Sequence, residues 1–63
     1  MIVAQVRDGI IWVDTGRGPI FWLPETCQRM ADRWEPRGGS WAEDAQTLRD
    51  ALATYHNERG IAA

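Results

Sequence analysis

The sequence predicts an α+β domain, a three-stranded antiparallel β-meander followed by an α-helical hairpin packed on one face, in the order β-β-β-α-α. Three observations predict it. Two β-prone runs flank the dipeptide Asp8-Gly9, a third apolar run follows Gly18-Pro19, and beyond Pro24 the apolar spacing changes from two residues to alternating threes and fours. With 63 residues the chain reads as one domain over 1–63, in the size range where little more than half of the unfolded surface is buried and stability is marginal.

Residues 2–7 and 10–14 are the first two strands. Asp-Gly satisfies the two positive-φ positions of a type I′ turn, and a two-residue loop fixes the register. Val6 then faces Ile11, Ala4 faces Val13 and Ile2 faces Thr15 on the side expected to meet the core. The opposite side carries the pairs Arg7 with Ile10, Gln5 with Trp12 and Val3 with Asp14, which is too apolar for an ordinary wetted face. Thr15-Gly16-Arg17-Gly18 supplies a second turn, and the third strand is expected over 19–23. Pro19 can begin that strand but, lacking an N–H, could not sit inside a central one. The run Ile20-Phe21-Trp22-Leu23 is apolar on both faces, so one pair must point away from the core. The expectation is Phe21 and Leu23 inward, with Trp22 outward beside Trp12.

A first helix is expected over 25–35. Pro24 and Glu25 suit a first turn, where proline's missing N–H costs nothing and a carboxylate meets the positive end of the dipole. Cys27, Met30, Ala31 and Trp34 fall at i, i+3, i+4 and i+7, one core-facing stripe, and Pro36 ends it. A second helix is expected over 41–59 after the loop Arg37-Gly38-Gly39. Ser40 and Glu43 fit the S-x-x-E capping box, Trp41, Ala45, Leu48, Leu52 and Tyr55 form a narrow seam for a helical partner, and Gly60 is expected to cap the C-terminus.

Composition narrows the function. Net charge is −2, and the seven basic residues, all Arg, are scattered among nine acids, which is not a nucleic-acid footprint. Arg without Lys, with Ala abundant in the C-terminal half, fits coding from a GC-rich genome. No apolar run reaches membrane-spanning length and no signal-peptide pattern opens the chain, so a cytoplasmic location is expected. One Cys and one His permit no intramolecular disulfide and supply no zinc-site spacing. His56 with Asp50 and Glu58 lacks the ligands for a metal cage. Neither a cofactor nor a metal is expected.

Cys27, on an apolar stripe, reads as core rather than nucleophile, and only tertiary proximity to His56 would give it a base. Gly16-Arg17-Gly18 lacks the lysine of a phosphate-binding loop, so it reads as a turn. Arg37-Gly38-Gly39 precedes a helix whose first donors the capping box would occupy. Glu43, Asp44 and Asp50 read as a solvated helix face.

Four tryptophans remain, Trp12, Trp22, Trp34 and Trp41, more indole than so small a core needs. Indole rings concentrate at protein interfaces because they bury large area and keep one donor for a partner. The expected function is therefore a non-enzymatic protein-binding module, homodimeric or bound to another protein, with Trp12, Trp22, Ile10 and Arg7 as anchors. The alternative is a small nucleic-acid-binding regulator in which the Asp8-Gly9 hairpin is a wing and Arg7, Arg17 and Arg37 contact phosphates. An enzyme built on Cys27 ranks third.

The layout Val6-Arg7-Asp8-Gly9-Ile10-Ile11-Trp12-Val13, followed by a strand running into Leu23-Pro24-Glu25-Thr26 and an Ala-containing helix, resembles small accessory proteins of bacteriophages that infect GC-rich bacteria. The resemblance is architectural. It implies a short protein that binds and modulates a host or phage protein, and it carries over no functional residue.

Overall fold

The Asp8-Gly9 turn organises the N-terminal half as its chemistry requires: both residues have positive φ, 55° and 75°. In the computed structural model, which describes residues 1–60, the turn joins strand β1 (Val3–Arg7) to β2 (Ile10–Asp14). The register is Val6 with Ile11, Ala4 with Val13, Gln5 with Trp12 and Arg7 with Ile10. Ile2 precedes the ladder, and its N–H donates to Asp44 Oδ1 at 3.0 Å where a pair with Thr15 was expected. Strand β3 (Pro19–Trp22) adds antiparallel to β2, giving the sheet order β1-β2-β3. The α+β meander is the expected fold.

Helix α1 (Pro24–Trp34) starts with proline at its first position, and the Leu23 carbonyl accepts from the N–H groups of Thr26 and Cys27 at 3.0 and 3.1 Å. A single 3-10 turn, Glu35–Arg37, closes it around Pro36. Helix α2 (Gly39–Gly60) follows antiparallel, and both helices lie on one face of the sheet. The core is one cluster: Ile2, Ile11 and Val13 from the sheet, Cys27 and Ala31 from α1, and Ala45, Leu48, Ala51 and Leu52 from α2. Alanines at the contact let the helices approach closely, because interaxial distance follows the side chains between them.

Three local expectations are corrected. Trp22 faces the helices and Phe21 faces away, because β3 sets Trp22 opposite Ile11 and Phe21 opposite Trp12. Leu23 is also exposed, as the residue that caps α1. The cause is the loop. The Asp14 carboxylate accepts from the N–H groups of Gly16 and Gly18 at 2.7 and 3.2 Å, a side-chain turn that pairs Asp14 with Pro19 and decides the facing of everything after it.

The capping box is the second correction. The Gly38 carbonyl accepts from Trp41 and Ala42, so α2 begins earlier than expected, Ser40 lies within its first turn, and no Ser40 side-chain bond is found among the described residues. Two glycines at positive φ, 69° at Gly38 and 56° at Gly39, allow the tight entry that displaces serine from the cap. Gly60 is the third. Its φ is not positive, so it ends the described helix as an ordinary helical residue.

Candidate protein-binding face

Strand alternation distributes the side chains of the sheet between two faces. On the face away from the helices the register builds ordered rows. Arg7 sits beside Ile10 at the hairpin end, Gln5, Trp12 and Phe21 cross the middle, and Val3, Asp14 and Pro19 form the far row. Among the described residues no element covers this face. Val3 is 57% exposed, Phe21 58% and Ile10 41%, an apolar group left open on one face of the sheet.

The middle row holds the densest apolar contact. Trp12 and Phe21 meet edge to face with centroids 6.5 Å apart and planes at 78°. Their quadrupoles favour this geometry. Trp12 is partly buried, whereas Phe21 stands out from the sheet. Beside them lies a shallow hollow of about 320 Å³ lined by Val3, Gln5, Arg7, Trp12, Asp14 and Pro19. A second hollow, about 290 Å³, opens past Ile10, Trp12 and Phe21 toward Leu23 and Tyr55. The Arg7 guanidinium edges the first hollow, and its Nε donates to Gln5 Oε1 at 3.3 Å.

Of the four residues expected to anchor a partner, Trp12, Ile10 and Arg7 share this face and Trp22 does not. Trp22 belongs to a ladder on the helix side, in which Trp22 and Trp34 are partly buried and Trp41 is exposed. Its ring meets Trp34 at 6.3 Å, Trp34 meets Trp41 at 5.8 Å, both at 63°, and the Arg37 guanidinium lies 4.6 Å over the Trp41 ring. Three indoles thus join β3, α1 and the start of α2, leaving Trp12 as the indole of the open face. Phe21 takes the place expected of Trp22. The sequence contains the signal in the loop between Asp14 and Pro19, whose length sets the register once the carboxylate turn is recognised.

The remaining candidates hold no assembled chemistry. Cys27 is fully buried, and that burial pushes its thiol up from the ordinary value, against a smaller lowering by a backbone hydrogen bond. His56 is exposed and packs against Tyr55 with centroids 5.4 Å apart. Among the described residues no three His, Cys, Asp or Glu side chains are grouped to hold a metal ion. The amides of Gly16 and Gly18 already serve Asp14, so the Gly16-Arg17-Gly18 loop has its own anion. Glu43 and Asp50 are exposed, as expected, but Asp44 turns inward to hold the Ile2 amide. No described helix is long and apolar enough to cross a membrane.

No family model matches the chain, and no curated protein and no solved structure matches it significantly.

Proposed function

We propose that the chain is a non-enzymatic protein-binding module that docks its partner on the helix-free face of the sheet, in the manner of the small phage modulators it resembles. One observation carries the reading. The face holds an edge-to-face Trp12–Phe21 pair flanked by exposed Ile10 and Val3 and bordered by Arg7, an aromatic centre with an arginine at its edge. Such combinations supply most of the binding energy of protein interfaces. A fully buried Cys27 with a raised thiol pKa supports a binding role over a thiol enzyme.

Placement of the arginines weakens the nucleic-acid alternative. Arg7 borders the hairpin turn, Arg17 lies in the loop at the other end of the strands, and Arg37 is engaged with Trp41 between the helices. They form no single stripe along a hairpin wing. Affinity that falls steeply with salt would restore that alternative.

The deciding experiment is affinity capture from a nuclease-treated lysate of a GC-rich bacterium, with Trp12→Ala as the control bait. The expected result is one stoichiometric protein on the wild-type bait and its loss on the variant, a weakening of about 2 kcal/mol or more, with the circular dichroism of the two baits superimposable. Equal capture by both baits overturns the proposed surface.

A further inference from the structure

The helix-free face is self-complementary in charge. Arg7 projects from it at the hairpin end and Asp14 at the opposite end, four residues apart along the strands or about 13 Å, with the Gln5, Trp12 and Phe21 row between them. Neither forms an ion pair among the described residues: Arg7 donates to Gln5, and one oxygen of Asp14 binds the loop amides while the other is uncommitted. The turn residues behave likewise, Asp8 lying beyond Arg7 and Arg17 beyond Asp14.

From this arrangement we infer that the occupant of the face is a second copy of the chain, packed sheet to sheet about a two-fold axis that runs across the strands. The inference rests on the reading of the face as a protein-binding surface and adds the partner and its orientation. Facing sheets align their strands to within about 30°, which leaves two kinds of in-plane two-fold axis. An axis along the strands lays each row on itself. With the axis over the central strand, Asp14 on β2 then meets the partner's Asp14, so like charges oppose at that end, while Arg7 on the edge strand β1 crosses to the partner's β3 side and gains no carboxylate. An axis across the strands exchanges the outer rows, laying Arg7 of each copy over the partner's row of Val3, Asp14 and Pro19, one strand from Asp14 and within a long side chain's reach of it, with Asp8 toward Arg17. The middle row still packs on its own copy, aromatic on aromatic. Only the second arrangement buries the apolar centre without opposing like charges, and like-charge contacts suppress a docking geometry strongly.

The test is sedimentation equilibrium of the wild-type chain and of Arg7→Glu and Asp14→Arg, each alone and then mixed. Arg7→Glu makes both ends of the face acidic, and Asp14→Arg makes both basic. The expected result is a wild-type dimer, each variant alone dissociated by more than about tenfold, and a mixture of the two that recovers a heterodimer, because the exchanged rows are then opposite in charge. Asp14→Asn keeps an acceptor for the loop amides while removing the charge. It is expected to weaken the dimer with the fold intact, which separates charge from turn geometry. A monomeric wild-type chain overturns the inference, as does a dimer indifferent to both charge reversals or a mixture that stays monomeric. A monomer whose captured partner is still lost on Trp12→Ala sinks only the self-pairing. A monomer that captures nothing sinks the binding face with it.

Discussion

At the scale of single residues, burial has raised the Cys27 thiol pKa, and the direction sets a pH dependence. Below the ordinary thiol pKa of about 8.5 both folded and unfolded chains hold the proton, and Cys27 adds no slope. Above it the unfolded chain releases the proton while the folded one keeps it, so stability falls as pH rises from there toward the raised folded value. The urea midpoint is therefore expected to drop between pH 8 and 10 more steeply in the wild-type chain than in Cys27→Ala, where only the other groups titrate. Parallel pH profiles would mean that the thiol ionises freely in the folded state. Alkylation at neutral pH should correspondingly be slow and accelerate with denaturant. Asp44 illustrates the same dependence on position: on sequence it belongs to an acidic helix face, but its carboxylate ties the Ile2 amide to α2. Helical periodicity locates such a residue without revealing a partner forty-two positions away.

At the scale of elements, the turns rather than the strands decide the facing. The Asp8-Gly9 turn was legible because its chemistry is local, two positive-φ positions filled by the residues that tolerate them. The Asp14 turn depends on which amides the carboxylate selects, and that selection reverses the facing expected of Trp22. Asp14→Ala should leave the Gly16 and Gly18 amides without their acceptor and cost about 1–2 kcal/mol in chemical denaturation, a loss that Asp14→Asn largely restores. The start of α2 yields a contrasting expectation. Because Gly38 accepts the first helical hydrogen bonds, Ser40→Ala should change stability by less than about 0.5 kcal/mol, whereas a true N-cap serine would cost about 1 kcal/mol. A measured loss of the larger size would return Ser40 to the cap.

At the scale of the whole molecule, the Trp22, Trp34 and Trp41 ladder substitutes aromatic area for the deep aliphatic core that so short a chain cannot build. Among the described residues the largest side chains almost wholly removed from water are Ile11, Leu48, Val13 and Cys27. Arg49 reinforces the same seam from outside, its guanidinium bridging Asp32 at 3.1 Å and Glu35, two acids that hold it firmly protonated. Trp34 is the middle rung and touches both neighbouring indoles, so Trp34→Ala should cost about 3 kcal/mol and broaden or abolish cooperative thermal unfolding. Trp12→Ala, on the open face, should shift the thermal midpoint far less. Equal losses for the two would place Trp12 in the folding core.

The sequence by itself determined the order of the elements, the first hairpin and its register, the start of α1, and the core stripes of both helices except at Trp41, which is exposed, and Ala51, which joins the core. Each depends on interactions between residues a few positions apart: turn dihedrals, proline's missing donor, and the periodicities of strand and helix. Tertiary structure decided which face of β3 meets the helices, that Phe21 rather than Trp22 joins Trp12 on the open side, and that the other three indoles join edge to face along the helix side, Trp41 at its exposed end. Those outcomes depend on which groups meet across the fold. An apolar run with equal claims on both faces holds no local preference, and the choice passes to the loop carboxylate and to the helices that cover one side.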